Sequence, residues 1–164
     1  MKYDKNQVHY VTATVILVKD GKFLICKRAG WEKAFPNMWT VPGGKLEVLE
    51  YLLKSKDTSD QWYNVIENLA KREVMEEVRL ELKELNYVTS LVYIRSDNIP
   101  SLIISLWAEP KKGDIRLCNA LTDYKWVTLE EAKGYNLIPG IYEELEMLDN
   151  KLKTGKMEEW KKKS

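Results

Sequence analysis

The chain has 164 residues, 45% of them hydrophobic and 31% charged, the balance of one folded domain with a sizeable core. A formal net charge of +1 argues neither for nor against nucleic acid by bulk attraction. Two cysteines, Cys26 and Cys118, make neither a disulfide framework nor a zinc spacing, and no apolar run is long enough to span a membrane.

A cytoplasmic protein is expected from this cysteine usage, and residues 1–7 lack the apolar core of a signal peptide. Residues 7–19, rich in Val, Thr and Ile, predict a strand buried on both faces. Asp20-Gly21 is a hairpin turn signal, and residues 22–28 are the return strand. Residues 29–38 form a loop that carries Trp31, Phe35 and Pro36. Residues 39–41 are a short strand leading into Pro42-Gly43-Gly44, where glycine allows positive φ and close backbone approach to a ligand.

Residues 51–57 show no period. Thr58-Ser59-Asp60-Gln61 fits a capping box with Thr58 as N-cap, and predicts a helix from about Ser59 to Val78. Residues 87–94 and 102–108 are two further strands, 111–114 a turn and 115–118 a short strand. Residues 123–127 lead into a second capping box, Thr128-Leu129-Glu130-Glu131. Pro139 opens a last helix, on which Ile141, Leu145, Leu148 and Leu152 form a core stripe. Residues 155–164 read as a frayed tail. Strands and helices in this order give an α+β class in a single domain, 1–164. Most of the six tryptophans and nine tyrosines fill the core or its rim, with some free to stack on a base.

The helix ending at Val78 carries the densest chemistry. Glu73, Glu76 and Glu77 fall at i, i+3 and i+4 and share one face. Ile66, Leu69 and Ala70 begin that same face two turns earlier. A solvated helix sets its charges opposite its apolar stripe; here they continue it. Three carboxylates this close raise one another's pKa unless something neutralises them. A hard divalent cation is the simplest answer, because Mg²⁺ takes oxygen ligands from a few carboxylates and from substrate phosphates.

At these residues the sequence resembles the Nudix hydrolase family. The family's box reads G, five residues, E, seven residues, then R-E-U-x-E-E-x-G-U, with U aliphatic. Gly44 and Glu50 match its first part; Arg72, Glu73, Val74, Glu76, Glu77 and Leu80 match its second. There are two departures. Between Glu50 and Arg72 lie 21 residues, 51–71, where the family has seven, an insertion of 14 placed at about 51–61. Arg79 stands where the box has glycine, which would have supplied a left-handed helix end. The insertion reads as a solvated surface loop or as a lid or specificity loop. The similarity spans roughly residues 10–148 and is generic outside the box.

The resemblance implies the Nudix fold, a mixed β-sheet sandwiched between α-helices, and hydrolysis of a nucleoside diphosphate linked to another group. It implies Mg²⁺, with Mn²⁺ able to substitute, held by Glu73, Glu76, Glu77 and a main-chain carbonyl of Gly43 or Gly44. Arg72 pairs with Glu50 or orients Glu73. Which glutamate is the base is left open, with Glu109 a distant second candidate. Lys27 and Arg28 read equally as phosphate contacts or as exposed strand-end charges. Trp31 and Phe35 are candidates for base stacking, Trp39 for the core. Asn136 reads as a base-edge contact, by analogy with MutT-like members, or as a helix cap. A (deoxy)nucleoside triphosphate pyrophosphohydrolase is the default substrate class. ADP-ribose, dinucleoside polyphosphates, RNA 5′ ends and a non-catalytic nucleotide-sensing module are the alternatives. The expected partner is a small nucleotide, with neither a membrane nor long nucleic acid; a homodimer is left open.

Overall fold

The computed structural model describes residues 4–164, so the opening segment read for a signal peptide lies partly outside the described residues. The strands are β1 (Tyr10–Lys19), β2 (Lys22–Arg28), β3 (Trp39–Thr40), β4 (Gly43–Lys45), β5 (Glu81–Leu82), β6 (Asn86–Ile94), β7 (Pro100–Ala108), β8 (Pro110–Lys112) and β9 (Leu121–Val127). The helices are α1 (Leu49–Leu52), α2 (Val65–Val78), α3 (Leu129–Ala132) and α4 (Ile141–Thr154). Among the described residues no helix is long and apolar enough to cross a membrane.

β1 is the centre of the molecule. It runs parallel to β7, from Tyr10 beside Ser101 to Leu17 beside Ala108. It also pairs antiparallel with β2 and with β4. The main sheet has the order β3-β2-β1-β7-β6, with β4 added on β1 and β9 on β2. Asp20 and Gly21 join β1 to β2 with φ of 52° and 71°, the backbone that a tight hairpin turn demands.

Helices cover both faces of this mixed sheet, which is the expected α+β arrangement. Ala13, Val15 and Leu17 pack with Leu24 and Cys26 against Leu69, Ala70, Val74 and Val78 of α2. The alternate residues Ile16 and Val18 pack with Phe23 and Ile25 against Ile141, Leu145 and Leu148 of α4. β1 is therefore continuously apolar because it is covered twice. Each buried Val, Leu, Ile or Phe among them contributes roughly 1.5–3 kcal/mol by leaving water.

The structure corrects several boundaries. α2 begins at Val65, not Ser59, because Asn64 takes a left-handed conformation (φ 54°) that breaks any helix before it. The Gln61 N–H does donate to Thr58 Oγ1, but the Asp57 and Thr58 N–H groups donate to the Gln61 carbonyl and close a turn. Residues 115–118 form no strand: the Arg116 and Cys118 N–H groups donate to the Val78 and Glu77 carbonyls and satisfy the end of α2. Lys111 and Lys112, expected inside a turn over 111–114, belong instead to β8, which pairs with β5. Arg79 takes the left-handed position itself, at φ 62°. Leu152 leaves the stripe of α4 and is 42% exposed. The tail has neither helix nor strand, yet Met157 packs on the core and Lys163 pairs with Glu146. The second capping box forms as expected: Thr128 N–H donates to Glu131 Oε2 at 2.7 Å and Glu131 N–H to Thr128 Oγ1 at 3.2 Å.

Candidate active site

The last two turns of α2 present Glu73 and Glu77 to β4. They share that face because they are four residues apart, and Leu69, Ala70 and Val74 hold the helix against the sheet there. Glu77 Oε2 accepts the Gly43 N–H at 3.0 Å. A Cβ on Gly44 would overlap Glu73 Oε1, and one on Gly43 would lie 2.5 Å from the Ala13 carbonyl oxygen. Neither glycine has a positive φ, so close approach, not backbone freedom, is what requires them.

Arg72 gathers the remaining carboxylates. Its Nη2 and Nε donate to Glu50 Oε1 and Oε2 at 2.7 and 3.1 Å. Nη2 also stands 2.8 Å from Glu73 Oε1, and Nη1 donates to Glu76 Oε2 at 2.8 Å. One guanidinium thus faces three carboxylates. Burial pushes Glu77 up to about 7; the Gly43 N–H opposes this and the Glu73 charge adds to it. Burial also raises Glu73, against the pull of Arg72.

This donor set fits a hard divalent cation. The acidic groups offer only oxygen, they lie on the buried side of α2 or at its rim, and a backbone without side chains is pressed against them. Among the described residues no three acidic, histidine or cysteine side chains yet converge on one point, since Glu73 and Glu76 both lean on Arg72. Glu76 is largely exposed, with Arg72 as its charged partner. The structure therefore brings together Gly43, Gly44, Arg72, Glu73, Glu76 and Glu77.

A cleft of about 810 Å³ adjoins this cluster through Lys45, the residue after Gly44. Arg28, Trp31, Phe35, Tyr93 and Arg95 line it as well. Phe35 sits at φ 50°, an uncommon backbone for an aromatic residue, and its ring lies 5.9 Å from that of Tyr93. Lys45 Nζ and the Arg95 guanidinium lie 5.2 and 4.6 Å from the Tyr10 ring centre. Trp31 is 72% exposed at the rim. Arg28 lines the cleft, but its guanidinium is tied to Glu32 Oε2 at 3.0 Å and to the Ala34 carbonyl at 2.8 Å.

Three candidates fall elsewhere. Lys27 alternates with Cys26 and Arg28 onto the sheet face of Phe23 and Ile25, away from α2. Asn136 does not line the cleft; its carbonyl accepts the Trp39 N–H at 2.9 Å. Glu109 is bound to Lys83 Nζ at 2.5 Å, in a separate hollow. Trp39 is core, as expected. Sequence reasoning missed Lys45, Tyr93 and Arg95 as cleft residues, and Tyr10 as the ring that Lys45 and Arg95 rest on. Only Lys45, next to the glycine pair, and the i, i+2 spacing of Tyr93 and Arg95 carried a local signal.

The NUDIX domain family model matches residues 8–149, most of the chain. The chain belongs to the Nudix family. A Nudix relative named nucleoside triphosphatase NudI, from Klebsiella pneumoniae, is 24% identical over 132 residues, covering 74% of this chain and 84% of its own. The crystal structure of a MutT Nudix hydrolase from Burkholderia pseudomallei superposes with a TM-score of 0.68 at 20% identity, over 85% of this chain and 98% of that one. The Nudix domain of Shewanella oneidensis NrtR, solved with ADP ribose, gives 0.66 at 17% identity, over 92% and 94%. These likenesses show the Nudix fold. The protein is a Nudix hydrolase, and such enzymes act on nucleoside diphosphates linked to another group with the help of a divalent cation.

Proposed function

We propose that the protein is a (deoxy)nucleoside triphosphate pyrophosphohydrolase that works with Mg²⁺ or Mn²⁺. The observation that carries this reading is an aromatic, cationic cleft whose lining includes Lys45, the residue next to the glycine pair that meets the acid cluster. The triphosphatase name of the Klebsiella relative favours the triphosphate over other members of the class.

Glu73, Glu76 and Glu77, with a main-chain carbonyl of Gly43 or Gly44, would hold the cation. Bound there, a divalent cation neutralises phosphate charge and lowers the pKa of water. Lys45 and Arg95 offer positive charge to the phosphates, and the Phe35–Tyr93 pair and Trp31 offer faces for the base. A carboxylate of the cluster accepts the proton of the attacking water. Arg72 orients Glu73 and Glu76 from the side of Glu50.

The test is a hydrolysis screen with Mg²⁺ and with Mn²⁺, using ordinary and oxidised nucleoside triphosphates, nucleoside diphosphates, ADP-ribose and dinucleoside polyphosphates, and Glu77→Gln as the blank. Release of nucleoside monophosphate from a triphosphate, absent in the blank, is the expected result. Turnover of ADP-ribose or a dinucleoside polyphosphate alone would reject the substrate class.

A further inference from the structure

We infer that Trp62, in the lengthened connection between Glu50 and Arg72, is a positioning residue that acts on the acid cluster through those two residues. The inference rests on the metal-binding role proposed for that cluster.

α1 is a single turn of four residues with no side-chain cap and no buried residue. One turn of helix does not hold itself together in water. Yet this turn carries Glu50, the carboxylate that grips Arg72 with two hydrogen bonds. The family's box joins these two residues through seven others; here 21 residues, 51–71, intervene. A longer flexible connection restrains its ends less, so Glu50 needs another tether.

The lengthened connection supplies one by folding back on α1. The Trp62 ring lies 5.5 Å from the ring of Tyr51, the residue beside Glu50. Its Nε1–H donates to the Lys54 carbonyl at 3.1 Å, and the Lys54 N–H donates to the Tyr51 carbonyl at 2.9 Å. Trp62 thus closes the C-terminal end of α1 with both its ring and its N–H. Trp62 is held in turn: Asp57 Oδ2 accepts the Tyr63 N–H at 2.9 Å, and Lys56 Nζ lies 5.6 Å from the Trp62 ring centre. A hollow of about 150 Å³ between Glu50, Tyr51, Trp62 and Asn68 marks where the insert meets α2.

The consequence reaches the carboxylates. With Glu50 fixed, Arg72 is drawn toward the α1 side while it touches Glu73 and Glu76. With Glu50 loose, the guanidinium loses that counter-pull and competes with a cation for the other two carboxylates. Loss of Trp62 therefore weakens cation binding and slows turnover, and leaves nucleotide binding in the cleft alone.

Mn²⁺ binding followed by electron paramagnetic resonance, with steady-state kinetics on a nucleoside triphosphate, tests this on Trp62→Ala, Trp62→Phe and Glu77→Gln. Trp62→Ala is expected to raise the Kd for Mn²⁺ about tenfold and to lower kcat at limiting metal, with the nucleotide KM unchanged. Trp62→Phe keeps a ring on Tyr51 and removes only the N–H, so a rise of about threefold is expected; it decides the matter if the alanine variant does not fold. Unchanged Mn²⁺ affinity with a lower Tm would overturn the inference and leave Trp62 a structural residue. A raised KM with unchanged Mn²⁺ affinity would also overturn it. Full Mn²⁺ affinity in Glu77→Gln would instead reject the acid cluster as the cation site, and this inference with it.

Discussion

Gly44 lies so close to Glu73 that a single added methyl carbon would overlap the Glu73 Oε1 atom. What it would strike is the end of a flexible side chain, so the collision is relieved by moving the carboxylate. Gly44→Ala should therefore lower stability by only about 1 kcal/mol while it reduces Mn²⁺ affinity and activity severalfold or more. Gly43→Ala meets the Ala13 backbone carbonyl at 2.5 Å, which cannot step aside. It should cost roughly 1–3 kcal/mol. Urea denaturation beside a metal titration separates the two; equal stability losses would refute the distinction.

Glu77→Gln keeps an oxygen to accept the Gly43 N–H and removes the charge. Turnover should fall about a hundredfold or more with the thermal midpoint little changed. A rate within twofold of the unaltered protein would remove Glu77 from the site.

The cleft predicts a split in kinetic constants. Tyr93→Ala removes the ring beside Phe35, and a base stacked there would lose about 1–3 kcal/mol. KM should rise severalfold to a hundredfold with little change in kcat at saturation. Arg95→Ala should act in the same sense and more strongly at low salt. Unaltered KM in both variants would place the substrate elsewhere.

Glu144 of α4 is 4% exposed and accepts a hydrogen bond from Ser105 Oγ of β7 at 2.6 Å. Burial pushes its carboxyl up to about 7 from an ordinary 4.5, against the Ser105 hydrogen bond. The folded state then keeps a proton that the unfolded chain has released. Stability from this group is complete below about pH 4.5 and is lost as pH rises through about 7, by up to roughly 3 kcal/mol. Glu144→Gln should flatten that loss, and the difference between the two proteins in urea at about pH 5 and about pH 8 reads it directly. Parallel curves would show that Glu144 titrates normally.

Arg79 holds a left-handed backbone at the end of α2, with φ 62°. That conformation costs an L-residue about 1–2 kcal/mol, partly offset by the greater freedom of glycine in the unfolded chain. Arg79→Gly should stabilise the protein by up to about 1 kcal/mol without altering kcat. Destabilisation would mean that the arginine side chain makes a contact worth more than the strain.

Features set by neighbours a few residues apart are legible in the order of amino acids alone. Glu73 and Glu77 share a face because the helical repeat puts them there. The Thr128 cap forms because its partner, Glu131, is three residues away. The continuous apolar run of β1 marks a strand covered on both sides. Thr58 and Gln61 show the limit of such local rules: their hydrogen bond forms, but a left-handed Asn64 three residues later starts the helix afresh at Val65.

By itself the sequence determined the acid face of α2, the glycine pair that meets it and the family to which both belong. Only the tertiary structure decided which residues face that site from a distance. The parallel pairing of β1 with β7, and the antiparallel pairing of β7 with β6, carry Tyr10 and Arg95 to one another across most of the chain. Strand alternation sends Arg28 to the cleft and Lys27 away from it. The physical reason is the range of the forces. Helical period, caps and turn conformations act over a few residues, whereas a cleft is the product of which strands pair, in which register, and that is settled by burying two faces of one sheet at once.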